Sequence, residues 1–160
     1  MFKIGDKVVY PMHGAGIIEA IEEKEILGER HQYYVLRLPI GNMKVMVPTS
    51  GGEGKGVGLR QVIGREEVRK VFCLLKEDSS QMPGNWNRRY RANLEKIKSG
   101  DVYEVAEVVR NLARREREKG LSSGEKRMLE SARQILISEL VLAAEVEEEK
   151  ARLMLDEAFE

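Results

Sequence analysis

Cysteine is nearly absent from this chain: 160 residues hold one, Cys73. A single thiol excludes an internal disulfide and fits a reducing compartment, and its place in the apolar run VFCLL predicts a buried thiol rather than a nucleophile. Histidine is almost as scarce. His13 and His31 are the only two, and neither is spaced with carboxylates or the cysteine as a metal or nucleophile site requires. Long apolar runs are missing as well. No stretch approaches the roughly 20 apolar residues of a membrane span, and the N-terminal MFKIGDKVVY meets a charge too early for a secretory leader. These shortages lead us to expect a cytoplasmic protein, with no membrane partner, no small-molecule substrate, no metal, no cofactor and no catalytic residues. An enzyme would have to build its site from Asp and Glu alone. Most of those lie on predicted helix surfaces, where they read as solvated faces and helix pairs.

Net charge is also lacking, at zero overall, which ordinarily argues against a nucleic-acid partner. The distribution says otherwise. Met1–Gly64 carries 8 basic and 7 acidic residues, Arg65–Arg133 carries 17 and 12, and Gln134–Glu160 carries 2 and 8. A basic middle is balanced by an acidic tail.

The first fifty residues read as short strands: KVVYP, AGIIEAIEEKEI, HQYYVLRLP and MKVMVP. Gly28 separates the second and third, Gly41-Asn42 marks a turn between the third and fourth, and three prolines sit at strand ends. A small, bent antiparallel barrel of the Tudor or SH3 type is the natural arrangement. His13, in PMHGAG, reads as a turn residue that takes up an unusual backbone angle. TSGGEGKGVG, from Thr49 to Gly58, then reads as a linker; Gly54-Lys55 is followed by Gly56 rather than Ser or Thr, which disqualifies a phosphate-binding loop.

After Gly64 the pattern turns helical. Val68, Val71, Phe72 and Leu75 share one helical face, and Asn85 is placed to cap a helix through Ile97. Asp101 caps a third helix, whose stripe runs through Val102, Val105, Ala106, Val109, Leu112 and Ala113 and ends at Gly120. Ser122 and Glu125 form a capping-box pattern before Met128, Leu129, Ala132, Ile135, Leu136 and Leu140. A last segment, Glu147 to Phe159, puts Ala151, Leu155 and Ala158 on one face. The fold class is therefore α+β: an N-terminal barrel domain, residues 1–58, followed by a helical bundle of four or five helices, residues 59–160.

The segment MPGNWNRRYR, from Met82 to Arg91, holds the one tryptophan of the chain, behind a Pro-Gly turn and followed by three arginines. Arginines neutralise phosphates, and a projecting aromatic ring can stack on a base or wedge between base steps. Pattern alone leaves two readings of Trp86 open, an outward ring that meets nucleic acid and an inward ring that clamps the turn. Tyr90, four residues on and followed by Leu94 and Ile97, belongs to the core pattern. The second basic run, RNLARREREKG from Arg110 to Gly120, is interrupted by Glu116 and Glu118 and reads as a solvated helix face.

Four blocks resemble one family when taken in order: GDKVVYPMHGAGIIEAIEEKEI, NWNRRYRANLEKIKSGD, AEVVRNL, and GLSSGEKRMLESARQIL followed by SEL. Nearly end to end, the chain is similar to the bacterial CarD family of RNA-polymerase-binding transcription regulators, including its CdnL-type members. The resemblance implies a Tudor-like domain that docks on the RNA polymerase β subunit, and a helical domain that touches promoter DNA at the upstream fork of the melted bubble. It implies that Trp86 is a minor-groove wedge and that Arg88, Arg89 and Arg91 contact phosphates. For polymerase binding, the family's basic positions match Lys24, which keeps the charge, and Met46, which does not; edge-strand pairing near Val45 and Met46 is the alternative contact. Nucleoid association would follow from polymerase binding. Two rival expectations remain: an architectural DNA-binding protein that works without polymerase, and a protein–protein adaptor with Trp86 buried.

Overall fold

The computed structural model describes residues 2–49 and 58–159; residues 50–57, which make up most of the expected linker, lie outside them. Five strands form one antiparallel sheet: β1 (Lys7–Tyr10), β2 (Gly14–Ile26), β3 (Glu29–Arg37), β4 (Lys44–Pro48) and β5 (Arg60–Gln61), in the order β4-β3-β2-β1-β5. Side chains alternate across a strand. Accordingly Val8, Ile18, Tyr34, Leu36 and Val47 meet on one face as a buried cluster. The β2–β3 hairpin turns through Leu27 and Gly28, both with left-handed backbone angles (φ 52° and 82°), the geometry that keeps hairpin strands in register. The fold class agrees with the α+β expectation. The fifth strand was not anticipated: two residues without a glycine or proline signal pair with Val8 and Val9 of β1, so the sheet takes material from beyond Gly58.

A register shift between Ile18 and Ala20 marks a bulge in β2. The residue it sets apart, Glu19, accepts two hydrogen bonds from Arg37, both at 3.1 Å, and lies 3.3 Å from Lys44 Nζ. One carboxylate thus ties β2, β3 and the start of β4 together. The Arg37 bond is the main reason its carboxyl is held below the ordinary value. The turn between β1 and β2 departs from expectation in one respect. Met12, not His13, takes the left-handed angle, φ 73°, while the His13 ring stacks on Tyr10 at 4.2 Å.

Five helices follow among the described residues: α1 (Arg65–Lys76), α2 (Trp86–Lys98), α3 (Val102–Glu118), α4 (Ser123–Ala144) and α5 (Glu148–Glu157). Their caps are the ones the sequence offers. Asn85 accepts the Arg88 amide, Asp101 those of Tyr103 and Glu104, and Ser122 that of Glu125, each meeting a donor the first turn leaves unpaired. The bundle core draws Val71 and Leu75 from α1, Ile97 from α2, Val105 and Leu112 from α3, Leu136 and Leu140 from α4, and Ala151 and Leu155 from α5. Cys73 corrects the expectation of a buried thiol. It is exposed, because a residue two positions from Val71 and two from Leu75 points away from the face those two share.

The basic run on α3 is the solvated face expected of it only from Glu116 onward. Arg110 is buried and donates to the Leu74 carbonyl at 3.1 Å, and Arg114 donates to that of Leu75 at 3.3 Å. Arg114 thus meets a carbonyl at the end of α1, where intrahelical partners run out, and Arg110 shares the Leu74 carbonyl with the Glu77 amide. Arg117 reaches the Phe159 carbonyl at 2.6 Å. The second half of α4 packs on the sheet, with Leu142 joining Val9 and Ala15 in a small apolar cluster. Sheet and bundle therefore meet directly as well as through the chain between them.

Candidate functional site

The N-termini of α2 and α4 lie side by side, and a buried ion pair holds them there. Arg89 is 4% exposed and Glu125 is 2% exposed. Arg89 Nε donates to Glu125 Oε2 at 2.6 Å and Nη2 to Oε1 at 3.1 Å, while Nη1 donates to the carbonyls of Pro83 and Gly84 at 3.3 and 3.1 Å. One guanidinium thus clamps the Pro-Gly turn, the first turn of α2 and the first turn of α4. Its hydrogen bonds hold the Glu125 carboxyl below the ordinary value against burial, which pushes it up, and the same bonds raise the Arg89 pKa. Arg89, expected at a phosphate, is thus held inside the protein. Four of its five N–H donors are taken up by a carboxylate and two carbonyls.

Trp86 stands on this clamp. It is 43% exposed, so one side of the indole faces solvent. The other side is fixed: Nε1 donates to Ser122 Oγ at 2.8 Å, and the ring stacks on Tyr90 with centroids 5.2 Å apart and planes 20° from parallel. Gly124 lies beneath both rings, where a Cβ would make ordinary contact, 3.5 Å from the indole and 3.9 Å from the Tyr90 ring. The two readings of the sequence turn out to be halves of one arrangement, an outward ring on a built platform. Tyr90 is half-buried against the core, as its spacing predicts.

Arg88 and Arg91 are exposed and form no ion pair among the described residues. Lys96, by contrast, is paired with Glu107. The structure adds Arg127, on the first turns of α4, which lines a cavity of about 400 Å³ together with Tyr90, Leu94, Gly124 and Met128. Two exposed arginines from α2 and one from α4 thus lie on the helices that carry the indole and its platform. Sequence reasoning missed Arg127, Gly124 and the Ser122 contact. Ser122 and Glu125 were legible as a capping box, but nothing in a linear reading says that both face a residue 36 positions earlier.

The residues expected at a polymerase contact lie on the sheet. The ladder pairs Lys24 with His31, Val35 with Met46 and Leu36 with Val45. Because side chains alternate, Lys24 and Met46 share one face of the sheet and half-buried Val45 points to the other. Lys24 and Met46 are exposed. β4 is the outermost strand and pairs only with β3 among the described residues. Ile26 and Leu27 at the tip of the β2–β3 hairpin are exposed as well. No group of three or more His, Cys, Asp or Glu among the described residues could hold a metal ion, and no helix among them is long and apolar enough to cross a membrane.

An antiparallel sheet with an open outer strand is thus joined to a helical bundle that presents a half-exposed aromatic ring. Residues 2–63 match the family described as the CarD-like/TRCF RID domain, and residues 70–156 match the one described as CarD, C-terminal domain. The chain is 46% identical over 152 residues to a Bacillus subtilis (strain 168) protein named Putative transcription factor YdeB, with 95% of this chain and 98% of that one covered. The chain belongs to the CarD family.

Proposed function

We propose that this protein regulates transcription by binding RNA polymerase through its sheet and steadying the promoter open complex through Trp86. The observation that carries the proposal is the half-exposed indole fixed by Ser122 and Tyr90 on a helix that also carries the exposed arginines Arg88 and Arg91. A ring held rigidly at a positive surface loses little freedom on contact, which favours binding. The wedge meets the upstream fork of the bubble, where a base step is already loosened, and the arginines hold adjoining phosphates. Arg89 acts from inside the protein and sets the indole's platform. Phosphate contacts carry no sequence information, so promoter choice follows the stability of each open complex and the deformability of its DNA.

On the polymerase side, the β subunit pairs with β4 by strand addition, with Lys24 and Met46 against it on the same face. The match of residues 2–63 to the CarD-like/TRCF RID domain and the open edge of β4 support this reading. Main-chain pairing does not need a basic side chain at Met46. The domains divide their labour accordingly, residues 1–58 for polymerase and 59–160 for DNA, with β5 as an extension of the sheet. The protein is cytoplasmic, is carried to the nucleoid by polymerase, and has no catalytic role.

The test is the lifetime of open complexes formed by the cognate polymerase without added protein, with wild type, and with Trp86→Ala. Prolongation by wild type and not by a folded, polymerase-bound variant is the expected result. Equal action by both would remove the wedge and leave the arginines as the DNA contact. No effect from either would favour the adaptor reading, and tight binding of wild type to bare duplex would favour the architectural one.

A further inference from the structure

Glu139 is a buried carboxylate that neither the DNA face nor the polymerase face uses. It is 2% exposed on α4, yet its two oxygens take three donors from the chain that leaves the sheet. Arg60 Nη1 and Nη2 each reach it at 2.7 Å, and the Ile63 amide does so at 3.0 Å. Arg60 also donates through Nε to the Gly100 carbonyl at 2.6 Å, between α2 and α3. Neighbouring positions on α4 repeat the pattern. Ser138 Oγ accepts the Ala15 amide at 2.9 Å, and the Leu142 carbonyl accepts Lys7 Nζ at 3.2 Å. The approach is close enough to require glycine at position 14, where a Cβ would lie 2.8 Å from Ser138 Oγ and φ is +110°.

The same helix carries the indole platform at its other end, through Ser122, Gly124 and Glu125. From Glu125 to Glu139 is fourteen residues, roughly 21 Å at the helical rise. One unbroken helix therefore fixes both the platform that faces DNA and the anchor that holds the sheet.

We infer that Glu139 is a positioning residue: by locking the sheet to α4 it presents the sheet's outer strand and Trp86 at one fixed separation, and the lifetime of the open complex depends on that lock. The inference rests on the proposed bridging of polymerase and promoter. When two contacts are joined in one molecule, the second forms at an effective concentration set by the stiffness and span of the connection. A loosened joint lowers that concentration while leaving each contact intact. A buried ion pair contributes little net stability compared with an apolar pair of the same shape, and its better-attested use is to specify an arrangement.

The experiment uses the full-length chain with Glu139→Gln and, from the sheet side, Arg60→Gln, which is judged alone if Glu139→Gln does not fold. Four quantities are read for each: open-complex lifetime with the cognate polymerase, affinity for polymerase without promoter, affinity for duplex DNA, and the rotational correlation times of sheet and bundle by nitrogen-15 relaxation. We expect both affinities to match wild type, the lifetime extension to fall about tenfold or more, and the common tumbling time to split into two. A folded variant that prolongs the open complex as wild type does, or one that loses lifetime together with either separate affinity, overturns the inference. If wild type itself does not prolong the lifetime, the proposed function fails first and takes this inference with it; wild type active beside equally active variants overturns the lock alone.

Discussion

Replacing Arg89 with alanine separates the structural arginine from those that face solvent. The guanidinium donates twice to Glu125, at 2.6 and 3.1 Å, and to two carbonyls of the preceding turn. Its loss leaves a carboxylate that is 2% exposed without its counter-charge, and breaking a buried pair from one side costs about 3–5 kcal/mol. In a chain of this size each kcal/mol moves the midpoint by roughly 2–4 °C, so the thermal midpoint should fall by roughly 6–20 °C. Arg88→Ala and Arg91→Ala remove exposed side chains and should stay within about 0.5 kcal/mol of wild type. Each should instead lower the slope of promoter-DNA affinity against salt by about 1. Adding Glu125→Gln to Arg89→Ala should recover part of the lost stability, because the second change removes the stranded charge. Thermal melts and salt titrations of these four variants beside wild type decide the matter. An Arg89→Ala protein that melts with wild type and flattens the salt slope as Arg88→Ala does would refute the assignment.

The Glu125 carboxyl is held below its ordinary value of 4.5 mainly by the Arg89 hydrogen bond. A depressed folded pKa contributes stability that is complete above the unfolded value and is lost as pH falls through the folded one. Denaturant melts should therefore show an acid limb that is shallower in Glu125→Gln than in wild type, and equal limbs would count against the pair's role. Ser122→Ala removes both the indole's acceptor and the α4 cap, which should cost about 1 kcal/mol and raise quenching of Trp86 fluorescence by acrylamide; unchanged quenching would show that the hydrogen bond does not hold the ring. Met46→Asp should weaken polymerase binding without moving the thermal midpoint, since the side chain is exposed on the outer strand. Undiminished polymerase affinity in that variant would exclude this face of β4 from the contact.

Much of the fold was legible because it is written locally. Asn85, Asp101 and Ser122 cap the helices they precede, and the alternation of Tyr34, Leu36 and Val47 points into the core. What stayed hidden depends on partners distant in sequence. Arg89 looks no different from Arg88 in the string NWNRRYR; only the packing of α4 against α2 brings Glu125 to one and solvent to the other. Cys73 sits among apolar neighbours, but the phase of a helix, not the company in sequence, decides which way a side chain points. β5 is two residues long and exists because β1 has an edge to offer it. In the candidate site the ring and two of its arginines were visible from the sequence, while the platform beneath them was not.

The platform bears on how a small protein can favour one state of a promoter. A binder shifts an equilibrium only by its difference in affinity for the two states, and about 1.4 kcal/mol of difference changes their ratio tenfold. Contacts to phosphates are available in both duplex and bubble, so the arginines alone give affinity without preference. Preference must come from a group whose interaction improves where base steps are already parted, and a half-exposed indole is such a group. A ring free to rotate would spend part of that small difference on being ordered. In this chain the cost is met during folding, by the Ser122 hydrogen bond, the Tyr90 stack and the Arg89–Glu125 clamp. Under the proposed function, the buried network would serve a contact it never touches: by fixing the indole in advance, it would let a modest difference in contact appear in full as a difference between closed and open promoter.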